Sequence, residues 1–241
     1  MNIPGPDDVA IQLLGLARRF GQRWILRGID LTVQPGEVLA LTGRNGSGKT
    51  TLLRVVATLL RPTRGSARVF GHDVVEEPDA IRALVGLLGH SAAVYDELTA
   101  AENLLFAQRM AGGPTDRGAV QAALAHVGLA QVQRDRVRVF SAGMRRRLGL
   151  ARLLLRPVKV LLLDEPYASF DPEGIGVVNE LALRVAAGGG VVVLATHDVA
   201  RAVDVMSRRL HLADGRLTEV HDGGLARVDA ALWSAGQGKG M

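Results

Sequence analysis

Two hydrophobic patterns alternate along this chain. Short runs that are apolar almost throughout lie at 38–42, 85–88, 160–163 and 191–195. Such runs are typical of strands buried on both faces, as in a parallel sheet covered by helices. Longer stretches with spaced apolar residues predict helices at about 49–60, 100–136 (with glycine and proline breaks) and 141–156. The alternation predicts an α/β fold with a largely parallel sheet.

The two ends of the chain predict antiparallel structure. Strand-like runs near the start lie at 11–16, 24–26 and 29–33. Near the end, Asp214-Gly215 separates two further runs, 211–213 and 216–220, which is a hairpin signal. We therefore predict one domain over 1–241. Its core takes 1–89 and 157–222, a helical insert takes 90–156, and 223–241 is a loosely ordered, glycine-rich tail.

Composition removes several function classes. The 241 residues include no cysteine, which excludes a disulfide framework, a cysteine-ligated metal and a thiol nucleophile. The net charge is +5, and runs such as Arg145–Arg147 predict a solvated basic surface rather than a nucleic-acid groove. No apolar stretch approaches the ~20 residues that span a bilayer, and the start lacks a signal-peptide pattern. We expect a cytoplasmic protein whose membrane role, if it has one, depends on a partner.

A phosphate-binding loop follows the first buried run. The loop fits the pattern G-x-x-x-x-G-K-[ST] and lies between a predicted strand and a predicted helix. Glycines let backbone N–H groups turn toward phosphate oxygens, and the helix presents its positive end to the same anion. In this pattern Lys49 reaches the β- and γ-phosphates, and the Thr50 hydroxyl binds Mg²⁺. The loop residues are Gly43, Arg44, Asn45, Gly46, Ser47, Gly48, Lys49, Thr50 and Thr51.

Two carboxylates end the apolar run at 160–163. Ligands of parallel sheets bind at the carboxyl ends of strands, so Asp164 and Glu165 fall where a nucleotide would lie. Asp164 is expected to hold Mg²⁺ through water, and Glu165 to polarise the attacking water as a general base. Alone, the pair could cap a strand at the surface. Together with the phosphate loop it predicts a nucleoside triphosphatase.

A third motif resembles one protein family. Phe140-Ser141-Ala142-Gly143-Met144 opens a predicted helix shortly before the acidic run, and it resembles the ABC ATPase signature L-S-G-G-Q. The likeness continues through the following arginines to the acidic pair, and covers residues 10–220. It implies a P-loop core with an N-terminal antiparallel β subdomain and a helical insert that carries the signature. Met144 removes the polar side chain of the usual glutamine, so we give it no ligand role.

The resemblance also implies roles for single residues. Asp171, after Ala168-Ser169-Phe170, matches an aspartate at the dimer interface, and His197 matches the histidine that contacts the γ-phosphate. Phe20 matches the aromatic that stacks on adenine; the alternative is a core phenylalanine. His90 stands where the family has a glutamine that reaches Mg²⁺. A neutral imidazole has one acceptor nitrogen and a protonated one has none, so we expect contact only through water.

The sequence around His90 resembles one group within this family more than others. Gly89-His90 followed by Leu98-Thr99-Ala100 and Glu102-Asn103-Leu104 is similar to the haem-exporter ATPases of cytochrome c maturation. ATPases of drug, lipid and peptide exporters share parts of this pattern and stay open. The resemblance implies ATP and Mg²⁺ as cofactors, a head-to-tail homodimer in which Ser141, Ala142 and Gly143 of one copy cover the ATP of the other, and a membrane permease as partner. Nucleic acid is not expected.

Other protein classes share the phosphate loop and the acidic pair. DNA-repair and chromosome-organising ATPases place a long coiled coil between loop and signature, whereas about 90 residues without sustained heptads separate Thr50 from Ser141. Translation-factor ATPases carry two cassettes, and this chain has one. A binding-only module that has lost hydrolysis stays open: Glu165 and His197 argue against it, and His90 argues for it.

Overall fold

The computed structural model describes residues 9–89, 93–113, 115–168 and 170–220. Its strands form two sheets. A six-stranded sheet has the order β10-β9-β3-β8-β7-β6, and a four-stranded antiparallel sheet has the order β2-β1-β4-β5. The strands are β1 Ile11–Phe20, β2 Arg23–Val33, β3 Val38–Thr42, β4 Arg64–Val69, β5 His72–Asp73, β6 Val85–Leu88, β7 Val160–Asp164, β8 Val191–Ala195, β9 Arg208–Ala213 and β10 Arg216–Val220.

The centre of the larger sheet is parallel and covered on both faces. β3, β7 and β8 are buried at every position, as their apolar runs predict. Alternate residues enter different cores: Leu161 and Leu163 pack with the helices, whereas Val160 and Leu162 pack toward the antiparallel sheet. A strand with two buried faces has no polar positions to alternate, so its sequence is apolar throughout.

Six α-helices and two short 3₁₀ turns complete the described part of the chain. The helices are α1 Lys49–Val56, α2 Pro78–Leu84, α3 Ala100–Met110, α4 Arg117–His126, α5 Ala142–Leu154 and α6 Pro172–Ala187. The turns are Ala130–Val132 and Val137–Val139. None of the helices formed by the described residues is long and apolar enough to cross a membrane.

Most predicted helices and strands are present, but several differ from the prediction in length, and further elements were not predicted. Helix α1 ends at Val56 rather than near Leu60, because Thr58 adopts a left-handed backbone conformation with φ 61°. β1 and β2 are long strands where we predicted short runs, and β4, β5 and α2 were not predicted. The predicted hairpin is present, with Asp214 and Gly215 both at positive φ.

The insert is helical, as predicted. α3, α4 and α5 pack on one another through Leu104, Leu124 and Leu148, which are all buried. Thr99 caps α3 in a reciprocal capping box with Glu102. The division of the chain into core, insert and tail stays a prediction, and the tail lies outside the described residues.

Shortening a fully buried side chain of β7 should destabilise the whole fold. We expect Leu163→Ala to lower the free energy of unfolding by about 2–5 kcal/mol, since Leu163 is fully buried and a cavity would remain. The matched control is Leu59→Ala, because Leu59 is 58% exposed and its loss should change stability by less than about 0.5 kcal/mol. Urea denaturation of both variants measures the difference; equal losses would contradict the packing described here.

Candidate active site

The carboxyl ends of three adjacent strands form one edge of the larger sheet. Asp164 at the end of β7 lies opposite Ala195 at the end of β8, and Leu41 of β3 lies opposite Ala195 on the other side. Two backbone bonds continue the edge beyond the strands: Glu165 N donates to Ala195 O over 2.7 Å, and Thr196 N donates to Leu41 O over 3.0 Å. The phosphate loop, the acidic pair and His197 therefore start from neighbouring points.

The phosphate loop depends on three glycines with positive φ. Gly43, Gly46 and Gly48 have φ values of 148°, 80° and 113°. A side chain at Gly43 would overlap the carbonyl oxygen of Leu212, and one at Gly48 would press on Leu26. Within the described part of the chain, no heavy atom beyond Gly46 and its two neighbours lies within 4 Å of its Cβ position, so the crown of the loop is open to a ligand. Gly43 and Gly48 are thus required both by backbone conformation and by space, and Gly46 by backbone conformation alone.

Lys49, the first residue of α1, is buried at the centre of the site. Its ammonium donates to the carbonyl oxygen of Gly43 over 2.8 Å and lies 3.6 Å from Glu165 Oε1. The side chain is only 6% exposed. A buried ammonium with a single carboxylate nearby is a strong site for an anion at the mouth of the loop.

Thr50 and Asp164 join the loop to the acidic strand. The Thr50 hydroxyl donates to Asp164 Oδ2 over 2.8 Å, across 114 residues of sequence. Ser47 Oγ, in the same loop, is buried and has no hydrogen-bond partner among the described residues. A hydroxyl paired with a carboxylate is the hard oxygen donor set that Mg²⁺ prefers, and an unpartnered buried hydroxyl is available to a phosphate oxygen. These residues therefore fit a magnesium-bound nucleotide.

Glu165 lies between Lys49 and His197. Its Oε2 is 2.8 Å from His197 Nδ1, and its Oε1 is buried with no hydrogen-bond partner in the part of the chain that the structure describes. Its backbone has φ 49°, a left-handed conformation that is uncommon outside glycine and concentrated at functional sites. With Nδ1–H donating, the carboxylate orients the imidazole, whose ring is mostly exposed. The pair can hold a water molecule and accept its proton.

The signature residues Ser141, Ala142 and Gly143 lie at the start of α5. Ser141 is the N-cap of α5, and its Oγ accepts from the backbone N–H of Met144 over 3.2 Å. Ser141 and Ala142 are exposed, and Gly143 is half-buried. Among the hydrogen bonds of the described residues, none joins the triplet to the phosphate loop of the same chain. The start of α5 is thus accessible at the surface of the chain.

Comparison with known proteins assigns the family. The sequence profile described as ABC transporter matches residues 26–168, more than half of the chain, from β2 through the acidic pair. This chain belongs to the ABC transporter family. It is an ABC-type ATPase, and the predicted family and fold class are confirmed.

Two groups of curated relatives resemble this ABC ATPase to a similar degree. One is the "Daunorubicin resistance ATP-binding protein DrrA3" of Streptomyces coeruleorubidus, 40% identical over 95% of this chain and 76% of the relative. The other is the "Cytochrome c biogenesis ATP-binding export protein CcmA" of Nitrosococcus oceani, 40% identical over 78% of this chain and 85% of the relative.

Solved structures share the fold. An ATP-binding subunit of an ABC transporter superposes with a TM-score of 0.80 at 26% identity, and covers 88% of this chain and 90% of its own. A dimeric ATP-binding cassette in a post-hydrolysis state, bound to ADP and Pi, superposes with a TM-score of 0.79 at 23% identity. It covers 89% of this chain and 99% of its own.

The structure also shows the surroundings of Phe20 and Asp171, to which the family resemblance assigns adenine stacking and a place at the dimer interface. Phe20 is 46% exposed, so the alternative of a core phenylalanine is wrong, and the guanidinium of Arg18 stacks 4.6 Å from its ring centroid. Asp171 caps α6 through Gly174 N and accepts two bonds from Arg147. The Gly174 N–H, and then the Arg147 charge, lower the pKa of Asp171. His90 and Ser169 lie outside the described residues.

The arginine run is not a solvated surface, and that prediction is wrong. Arg145 pairs with Asp96, Arg146 donates to the carbonyl oxygens of Asp164 and Glu165, and Arg147 binds Asp171. Arg146 is 7% exposed. Sequence reasoning missed these contacts because an arginine run indicates charge but not direction: successive residues of a helix point about 100° apart, so three neighbours reach three different elements.

Proposed function

We propose that this chain is the ATP-hydrolysing subunit of an ABC exporter and works as a homodimer on a separate membrane permease. The observation that carries the proposal is the meeting of Lys49, Thr50, Asp164, Glu165 and His197 at one edge of the sheet. When bound, Mg²⁺ would supply charge neutralisation between the phosphates. Residues of the chain supply the remaining groups.

Each residue at the edge has one proposed role. Lys49 and the N–H groups of residues 43–51 hold the phosphates, and Phe20 offers an exposed ring for adenine to stack on. Thr50 and Asp164 hold the magnesium ion, with His90 as a further contact through water. Glu165 accepts the proton of the attacking water, and His197 helps to orient that water toward the γ-phosphate.

A second copy of the chain would complete the site. Ser141, Ala142 and Gly143 present N–H groups at the start of α5, where a helix dipole favours an anion. Ser141 and Ala142 are exposed, which supports their covering the γ-phosphate bound by the partner copy in a head-to-tail dimer. Asp171 would lie near that interface. Hydrolysis would then release the two copies, a population shift between closed and open states.

The hydrolytic assignment is tested by ATP turnover of the purified full chain with and without Mg²⁺. Turnover that depends on Mg²⁺ supports the proposal. The open alternative, a binding-only module, predicts nucleotide binding without turnover under both conditions. That outcome would leave the family assignment intact and remove the role of Glu165.

We propose that the membrane permease docks on the helical insert, so that this chain lies peripherally at the cytoplasmic face of the membrane. Large apolar side chains are exposed along one stretch of the insert: Tyr95 and Phe106 meet edge to face at 5.0 Å, and Met110 is 72% exposed. Exposed aromatic and methionine side chains are enriched at protein interfaces. The segment around His90 and this patch would carry the state of the nucleotide site to the permease.

A charge in this patch should weaken the permease contact. We expect Met110→Asp to reduce co-purification with the permease about tenfold, because a buried interface charge without a partner costs more than about 1.4 kcal/mol. Leu59→Asp is the matched control, since Leu59 is 58% exposed but lies outside the insert. Quantitative immunoblotting of the detergent-solubilised complex measures both. Equal retention of the two variants would place the contact elsewhere.

Two cargoes are proposed on the basis of the relatives. Haem export for cytochrome c maturation follows from the Gly89-His90 pattern and from the cytochrome c biogenesis relatives. Drug export is the second candidate, favoured by a daunorubicin-resistance relative that aligns with 95% of this chain. The ATP turnover of the complex purified through a tag on this chain, measured with haem and with daunorubicin, distinguishes them: the true cargo stimulates turnover and the other does not.

A further inference from the structure

Arg146 connects the signature helix to the acidic pair of the same chain. It lies on α5 five residues after Ser141, and its Nη2 donates to the carbonyl oxygen of Asp164 over 2.7 Å and to that of Glu165. One guanidinium nitrogen thus bridges two consecutive backbone carbonyls at the end of β7. Neither bond uses a carboxylate, so Arg146 does not compete with the contacts that the Asp164 and Glu165 side chains make with Thr50 and His197.

The burial of Arg146 makes these two bonds energetically important. Desolvation lowers the pKa of its guanidinium, whereas the nearby charges of Asp164 and Glu165 raise it. Its Nε is buried, and none of the residues that the structure describes forms a hydrogen bond with it. A buried cation must be compensated by hydrogen bonds and opposite charge, and here the two carbonyls and the two carboxylates supply both.

The backbone of Glu165 is the feature that needs support. Its φ of 49° is unfavourable for a residue with a side chain, and Pro166 restricts it further. Its N–H donates to Ala195 O, and its carbonyl oxygen accepts from Arg146 Nη2 and, over 3.2 Å, from the N–H of Ala168. The residue is therefore fixed at both ends, and its carboxylate is held between Lys49 and His197. Strained conformations persist only where the surroundings determine them so fully.

We propose that Arg146 is a positioning residue for hydrolysis: it holds the left-handed backbone of Glu165 so that the carboxylate faces the attacking water. This inference rests on the proposed function, because it assumes that Glu165 is the general base. It also follows that α5, which offers Ser141–Gly143 to the nucleotide of the partner copy, sets the geometry of the base in its own chain. A shift of α5 would then alter the hydrolytic step directly.

Three variants test the proposal in the full chain. Arg146→Met keeps the length and apolar packing of the side chain but removes both bonds, and Arg146→Lys keeps a charged donor that reaches the carbonyls less completely. Arg156→Gln is the matched control, because Arg156 also donates to backbone carbonyls, those of Arg82 and Val85, but lies outside the site. For each variant we would measure the thermal midpoint, kcat, KM for ATP and the affinity for a non-hydrolysable ATP analogue with Mg²⁺.

A positioning role predicts a selective effect on the chemical step. Arg146→Met should lower kcat about tenfold or more, equivalent to about 1.4 kcal/mol, and change KM and analogue affinity less than about threefold. Rapid quenching during turnover should find mostly ATP, not ADP, on the variant. Arg146→Lys should lose about threefold in kcat, and Arg156→Gln should lose thermal stability only.

A kcat of Arg146→Met within twofold of the unsubstituted chain would overturn the proposal. So would parallel losses of kcat, affinity and thermal stability that Arg156→Gln reproduces, since these indicate a structural role alone. If Arg146→Met does not fold, Arg146→Lys decides by the same split between kcat and KM. Failure of the unsubstituted chain to hydrolyse Mg-ATP would instead refute the proposed function itself, so the two failures are distinguishable.

Discussion

Lys49→Ala is expected to reduce ATP turnover at least ~100-fold, the range found when one preorganised electrostatic donor is removed from an active site. Lys49 is the buried cation at the mouth of the phosphate loop, 3.6 Å from Glu165. Without it, the β- and γ-phosphates would lose their buried cation, and the Glu165 carboxylate would lose the positive charge beside its Oε1. Both effects weaken the binding of the triphosphate as well as its hydrolysis.

Lys159→Ala is the matched control for this variant. Lys159 is exposed, and its ammonium donates to the carbonyl oxygen of Gly188, beside the opposite end of β7. Turnover should be unchanged in the control and lost in Lys49→Ala, measured by phosphate release at saturating Mg-ATP. A Lys49→Ala chain that turns over ATP at the unsubstituted rate would show that the phosphate-loop assignment is wrong.

Glu165→Gln should separate binding from hydrolysis. The amide keeps the shape of the side chain but cannot accept a proton from water, so kcat should fall about 10²–10⁴-fold, the contribution of a general base. ATP affinity should be kept, because the amide also removes the negative charge nearest the γ-phosphate. Glu173→Gln, on the exposed first turn of α6, is the control and should retain full turnover. An unchanged rate in Glu165→Gln would remove Glu165 from the role of base.

The central strands of the larger sheet were predictable because a strand that is buried on both faces has an uninterrupted apolar sequence. The runs that become β3 and β8 were predicted with their observed ends, and β7 is longer than its predicted run, 160–163, by Asp164 alone. The antiparallel sheet was predicted less well. β1 and β2 mix buried and exposed positions and contain register shifts, so their periodicity is broken and only their most apolar parts were evident.

The site was predictable where a motif fixes residues on neighbouring strand ends. The phosphate loop and the acidic pair are far apart in sequence, yet parallel strands bring their ends together, and Thr50 meets Asp164. Contacts made by long side chains were not predictable. Arg146 and Arg147 reach β7 and α6 because of the angle at which α5 packs. The local sequence pattern of a helix does not predict that angle.

Two copies of the chain are proposed to share each ATP site. The molar mass of the Glu165→Gln protein in the presence of Mg-ATP tests this dimer most directly. Light scattering should show a dimer that retains two ATP molecules and dissociates when the nucleotide is removed. Adding Ala142→Glu should keep the chain monomeric: a carboxylate suits the first turn of α5, so folding is preserved, but it repels a γ-phosphate. Arg117→Glu, on the exposed first turn of α4, should leave the dimer intact. A monomer that holds one ATP per chain in Glu165→Gln, or a dimer unaffected by Ala142→Glu, would contradict the account.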